Sequence, residues 1–156
     1  MSFQIHGLAP EKFAPFFALS ADELKAVGGV YMVAKGDSGF PCRVCLEDAK
    51  PDEKVILIHY EHQSADTPYR ASAAIFIRQN ATQATLDKNE VPEQFRTRII
   101  SGRAFDEKGM MVDADVCDGK NLESMIEQLL GLPSVSYLQL HYAKHGCFAA
   151  RVEPAQ

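Results

Sequence analysis

The hydrophobic pattern of this chain changes period several times, and each change predicts an element. Phe3-Gln4-Ile5 alternates apolar and polar positions, which predicts a short first strand. Residues 10–19 are apolar enough for a helix, one that Pro15 must shorten or kink because it lacks the amide proton a helix interior uses. Ser20-Ala21-Asp22-Glu23 has the spacing of a capping box, and Gly28-Gly29 ends the helix it opens. Residues 30–34 are β-branched and aromatic, as a strand requires. Lys50-Pro51-Asp52-Glu53 predicts a turn. The turn feeds Val55-Ile56-Leu57-Ile58-His59-Tyr60, a run apolar on both faces and so a central strand covered on both sides. A polar loop is expected over 61–69 and a strand over 73–77, and the polar stretch 79–90 is expected to be the most mobile segment.

In the second half, 95–105 and 110–116 flank Asp106-Glu107-Lys108-Gly109 and predict a hairpin. Leu122, Met125, Ile126, Leu129 and Leu130 recur on one helical face, with Asp118 or Asn121 to cap the start and Gly131 and Pro133 to end it. Strands follow over 135–140 and 147–152, separated by a turn at His145-Gly146. About seven strands and two or three helices, not regularly interleaved, point to an α+β fold with a mixed or mainly antiparallel sheet. The 156 residues form one expected domain, 1–156, large enough to bury a core without disulfide or metal staples.

The net charge of −5 disfavours nucleic acid or an anionic membrane surface as the main partner. Arg96, Arg98 and Arg103 are a local exception, read as a solvated strand face. No apolar run reaches the roughly 18 residues of a membrane span, and Met1–His6 has no basic leader segment, so the cytoplasm is the expected compartment. Cysteines there stay reduced, and Cys42, Cys45, Cys117 and Cys147 imply no disulfide framework.

The chemistry concentrates in Phe40-Pro41-Cys42-Arg43-Val44-Cys45-Leu46. Two cysteines three apart diverge on a strand and converge only in a turn. For zinc they are half a ligand set, and the other half would come from His141, His145, Cys147 or Cys117, far along the chain. No metal and no cofactor is therefore expected, with a small zinc protein as the second alternative. For redox work the pair lacks a helix behind it to lower a thiol pKa, so redox chemistry is not expected. As a nucleophile, Cys42 has Arg43 beside it to favour thiolate, and His141 is the candidate base. Cys45, Cys117 and Cys147 read as small buried hydrophobes. His59 and His62 stand at a strand end, where they read as hydrogen-bonded or solvated. Asp113 to Gly119 superficially suggests a calcium loop, but the glycine is one position late, Cys117 sits where a ligand belongs and Ser124 replaces the bidentate Glu. In Thr67-Pro68-Tyr69-Arg70 the guanidinium can present its planar fork to a carboxylate or phosphate, or settle into a surface ion pair. No Walker loop, GxGxxG, nucleophile elbow or HExxH is present.

The expectation is a pocket lined by Cys42, Arg43, Tyr69, Arg70, His141 and Cys147 that holds a small anionic ligand. The alternative is a structural or protein–protein interaction module in which these residues form a buried polar network. The residues assign neither a reaction nor an oligomeric state.

Three stretches in combination carry a resemblance: Phe40-Pro41-Cys42-Arg43; Pro68-Tyr69-Arg70-Ala71-Ser72 leading into Ile75-Phe76-Ile77; and His141 with Gly146-Cys147-Phe148 and Arg151. From Phe3 to Val152 the chain resembles a bacterial family classed as a domain of unknown function, number 1203. In that family's pattern the residue matching Cys45 is often serine, whereas those matching Cys42 and Cys147 recur. The resemblance therefore makes Cys45 a departure and weighs against metal or redox chemistry at the CxxC. It implies no activity.

Overall fold

A computed structural model describes all 156 residues. The fold is α+β, with eight strands in two antiparallel sheets and three α-helices. The backbone gathers into two compact units. One comprises Met1–His6, Glu61–Ala73 and Leu86–Gln156, and the other Gly7–Tyr60 and Ala74–Thr85. Neither is a contiguous stretch, so no linker marks their boundary in the sequence.

The first unit holds a five-stranded sheet in the order β1 (Phe3–His6), β8 (Phe148–Pro154), β7 (Tyr137–Tyr142), β5 (Ile99–Phe105), β6 (Met111–Asp118). Asp106 accepts the Gly109 amide and donates its own to Met110, closing the β5–β6 hairpin, and Gly109 takes φ 84. The helix α3 (Leu122–Leu130) buries Leu122, Met125, Ile126, Leu129 and Leu130 and packs against β5, β6, β7 and β8. Asp118 caps the 3-10 turn Gly119–Asn121 that leads into α3, accepting from the Lys120 amide, while Asn121 makes no side-chain cap. Gly102 on β5 lets α3 approach: a Cβ there would stand 2.9 Å from the Met125 methyl and 3.0 Å from Leu129 Cδ1. Phe95 and Arg96, expected at the start of a strand, belong instead to the single helical turn α2 (Glu93–Arg96). Pro92 pre-sets the backbone for that turn, and β5 starts only at Ile99.

The second sheet runs in the order β2 (Gly29–Val33), β3 (Lys54–Gln63), β4 (Ala71–Arg78), and the second unit holds all of β2, β3 as far as Tyr60 and β4 from Ala74. The double-sided apolar run behaves as expected. Ile56 and Ile58 join Phe13, Leu24, Cys42, Val44, Ile75 and Ile77 in one core cluster, while Val55 packs with Ala34 and Ala49 in another. The Ser20 capping box opens α1 (Ala21–Ala26), with Ser20 and Glu23 exchanging side-chain and backbone bonds. Residues 10–19 are not an α-helix but two 3-10 turns, Pro10–Lys12 and Ala14–Ala18. Pro15 has no N–H to give, so bonds to the third residue back replace the α ladder, and the Tyr31 hydroxyl clamps the result by donating toward the Phe16 and Leu19 carbonyls.

β3 runs to Gln63, into the stretch expected to be loop. The polar stretch 79–90 is irregular, and local bonds hold it: Ala84 donates to the Val44 carbonyl, and Asn89 exchanges bonds with Phe3. No helix is long and apolar enough to cross a membrane.

Candidate functional site

In the second unit the CxxC lies in a turn, the only local geometry that lets cysteines three apart converge. Pro41 and Asp48 pair as an antiparallel bridge, Cys42 bridges Phe76 of β4, and the Cys42 amide donates to the Glu47 carbonyl. Leu46 turns the chain back at φ 57, a left-handed conformation that a leucine holds only because its side chain is buried. Cys42 is wholly buried and Cys45 partly exposed. Cys45 Sγ lies 3.9 Å from the Glu47 carbonyl oxygen, and the two thiols act on each other's ionisation. The Arg78 side chain reaches Cys45 Sγ at 3.5 Å, and the Arg78 amide reaches Cys42 Sγ at 3.4 Å. Glu53 grips the same guanidinium through both carboxylate oxygens, at 2.7 and 2.9 Å.

The electrical consequence divides the pair. The Cys42 thiol holds Cys45 well below the ordinary thiol value, at about 6, with the Glu47 backbone and Arg78 adding to it against the opposing cost of burial. Cys42 moves the other way, pushed up by Cys45 and by burial. This corrects the expectation of a Cys42 thiolate beside Arg43. The Arg43 guanidinium is buried and donates to the Pro41 carbonyl. The charged sulfur is Cys45, and its cation is Arg78.

The first unit carries the other chemistry, on the sheet face opposite α3. Cross-strand register puts Arg103 of β5 opposite Gln139 of β7, and Gln139 opposite Arg151 of β8. Ser101 and His141 pair one step along on the same face. His62, at the end of β3, packs onto this face. Its ring stacks on Phe148 at 5.2 Å between centroids and meets His141 edge-on at 5.0 Å. His62 Nδ1 lies 2.7 Å from Gln139 Oε1, while Gln139 Nε2 donates to the His62 carbonyl. The second bond fixes the amide's orientation, so Nδ1 carries the proton and Nε2 is the basic nitrogen of His62. His141 Nδ1 donates to the Gly146 carbonyl and is fixed the same way.

Burial pulls the His62 pKa down, and the nearby Arg103 charge adds to this, against a smaller upward pull from Gln139. Arg103 is half-buried, and burial alone acts on it, lowering its pKa. The contrast with other arginines is chemical: Arg70 meets Glu61, Arg78 meets Glu53, Arg96 meets Glu123 and Arg151 meets Glu153. Arg103 is a partly desolvated guanidinium with no carboxylate against it.

The six sequence-predicted residues fall in both units: Cys42 and Arg43 in one, Tyr69, Arg70, His141 and Cys147 in the other. Arg70 is exposed and engaged by Glu61 at 2.9 Å, and Tyr69 sets its ring edge against Phe105. Cys147 is partly exposed in the turn after β7, next to the Gly146 carbonyl that His141 binds. Sequence reasoning missed Arg78, Arg103, His62 and Gln139 as site residues. Arg103, read from the sequence as part of a solvated strand face, is half-buried; strand register sets it beside Gln139, and His62 packs onto Gln139 from the end of β3. No three His, Cys, Asp or Glu side chains are grouped to hold a metal ion.

Residues 39–154 match the family described as "Protein of unknown function (DUF1203)". The chain belongs to that family. The matched DUF1203 region takes in both the CxxC turn and the polar sheet face. No curated protein and no solved structure matches the chain.

Proposed function

We infer that this DUF1203 protein binds a small anion on the polar face of its five-stranded sheet, with Arg103 as the receiving cation. The observation that carries the reading is the half-buried Arg103 guanidinium beside His62, on which burial acts unopposed by any carboxylate. A desolvated cation with no counter-charge is costly, and an anion removes that cost. The planar fork suits a carboxylate or phosphate group, with the Ser101 hydroxyl on the same face as a further donor. His62 adds pH dependence. An anion at Arg103 favours the imidazolium, so binding takes up a proton and tightens as pH falls through the lowered His62 pKa.

The test is isothermal titration of the full chain with inorganic phosphate, sulfate and small dicarboxylates at pH 6 and pH 7.5 in low salt. At least one anion binds more tightly at pH 6, and Arg103→Gln weakens it tenfold or more while the circular dichroism spectrum is unchanged. No heat from any of these anions with the wild-type chain, or equal affinity in Arg103→Gln, refutes the reading.

The reciprocal His62–Gln139 bonds and the Gln63–Tyr137 bond of 2.8 Å favour a second reading, a polar network that serves the fold. Under it Gln139→Leu costs stability and no anion raises the melting temperature.

A further inference from the structure

The thiol pair belongs to a different chemistry from anion binding. We propose that Cys42 and Cys45 are a thiol–disulfide exchange pair, with Cys45 as the attacking sulfur, Cys42 as the resolving sulfur and an organic disulfide as the oxidising substrate. Three observations carry this. The turn sets both sulfurs against one residue and leaves them unjoined: the Arg78 amide reaches Cys42 at 3.4 Å and its guanidinium reaches Cys45 at 3.5 Å. Their accessibility is unequal in the sense the reaction needs: Cys45 is partly exposed and can be reached from solution, and Cys42 is wholly buried and can be reached only by its neighbour. A fixed cation stands at the outer sulfur, because Glu53 holds the Arg78 fork from one side while Nη1 reaches Cys45.

The usual argument against a CxxC without a following helix is that nothing stabilises the thiolate. Here two other groups do so. The Cys42 thiol favours the Cys45 thiolate, and Arg78 supplies a localised positive charge in place of a helix N-terminus. Burial of Cys42 keeps its proton in place until it is needed.

The exchange runs in two displacements. The Cys45 thiolate attacks one sulfur of R–S–S–R′. A Cys45–S–S–R bond forms, the S–S bond of the substrate breaks, and R′S⁻ leaves and takes a proton from solvent. The Cys42 sulfur then attacks Cys45 Sγ. The Cys42–Cys45 bond forms, RS⁻ leaves, and RS⁻ receives the proton that Cys42 gives up. The protein loses two electrons, the substrate gains them, and two thiols are released. Two equivalents of a monothiol run the sequence backwards and restore the pair.

The experiment equilibrates the full chain with glutathione buffers of graded oxidised-to-reduced ratio at pH 7, then applies acid quench, alkylation and peptide mass spectrometry. The Cys42–Cys45 disulfide should appear in one two-electron transition, with Cys117 and Cys147 still alkylated. In Cys42→Ser a glutathione mixed disulfide should accumulate on Cys45. Because a buried serine can unfold the chain, the wild type is also quenched after seconds of exposure to oxidised glutathione, when the first adduct must lie on Cys45. Arg78→Met should slow that first step severalfold at pH 6.5. A pair still fully alkylated at the most oxidising ratio, a first adduct on Cys42 or Cys147, or an unchanged rate in Arg78→Met overturns the proposal.

Discussion

Replacing one hydrogen of Gly119 by a methyl group has a consequence that can be worked out from distances alone. Gly119 is buried between the end of β6 and the start of α3. A Cβ there would lie 1.8 Å from the Phe95 carbonyl oxygen and 2.8 Å from that of Arg98. Both are main chain, so no side chain can swing aside. The first contact must open from 1.8 Å to at least 3.0 Å, and the Gly119 amide, which donates to the Arg98 carbonyl at 2.8 Å, is carried with it. Losing that bond costs about 1 kcal/mol. The overpacking costs about 1–3 kcal/mol, and the stiffer unfolded chain returns about 0.5–1 kcal/mol. Gly119→Ala should therefore destabilise by about 1–3.5 kcal/mol, a fall in melting temperature of roughly 2–14 °C for a chain of this size. The control is Gly36→Ala, at φ 72 with no atom within 4 Å of the new Cβ, where only backbone strain of about 1 kcal/mol is at stake. Urea denaturation followed by far-ultraviolet circular dichroism measures both. If Gly119→Ala is no less stable than Gly36→Ala, the junction of α2, β5 and α3 is not packed as described.

Other expectations follow from the same geometry. Ile126→Ala and Leu129→Ala should each cost about 2–4 kcal/mol, because both side chains are buried on the inner face of α3; losses under about 0.5 kcal/mol for both would place that face elsewhere. The His62 imidazole, followed by proton NMR, should titrate below the ordinary histidine value of about 6.5, moving up in Arg103→Gln and further down in Gln139→Leu; an unmoved midpoint in Arg103→Gln separates the two groups. Because the folded state holds that pKa below its unfolded value, the unfolded chain takes up the proton first, so this histidine's share of stability is intact above about pH 6.5 and declines as pH falls through the folded pKa. Alkylation of Cys45 by iodoacetamide should reach half its plateau rate near pH 6, and in Cys42→Ala the half-point should climb toward the ordinary thiol value; a wild-type half-point above pH 8 refutes the lowered Cys45 pKa.

What was legible in the sequence was local. The Ser20 capping box, the Asp106–Gly109 turn and the α3 stripe each depend on residues within a turn or two of one another, and each formed as read. The run 10–19 misled because apolar content says nothing about whether hydrogen bonds span three residues or four; Pro15 decided that. The sites were legible only as fragments. Cys42 and Cys45 are conspicuous, but the cation that acts on Cys45 is 33 residues away at the end of β4. Arg43, adjacent in sequence, turns out to be a buried donor to its own turn. His62 lies 77 residues from Gln139, on a strand of the other sheet, and meets it only through tertiary packing.

Arg78 and Arg103 carry the same guanidinium, and the carboxylate at one and not the other separates their roles. Glu53 takes Nε and Nη2 of Arg78, and Nη1 is shared between Cys45 Sγ at 3.5 Å and the Glu47 carboxylate at 3.4 Å, so that arginine is fixed in place beside the sulfur. Arg103 has no carboxylate in an ion pair with it and stands in register with Gln139, and on the reading proposed above it receives negative charge from outside the chain. The two activities therefore depend on pH in opposite senses. Thiolate attack at Cys45 strengthens as pH rises through about 6, because the nucleophile is the deprotonated form. Anion binding at Arg103 strengthens as pH falls, because the second cation is the protonated His62. A general loosening of the fold at low pH would weaken both together. Opposed profiles measured on one preparation would therefore trace to the two local sites and to nothing the whole chain does.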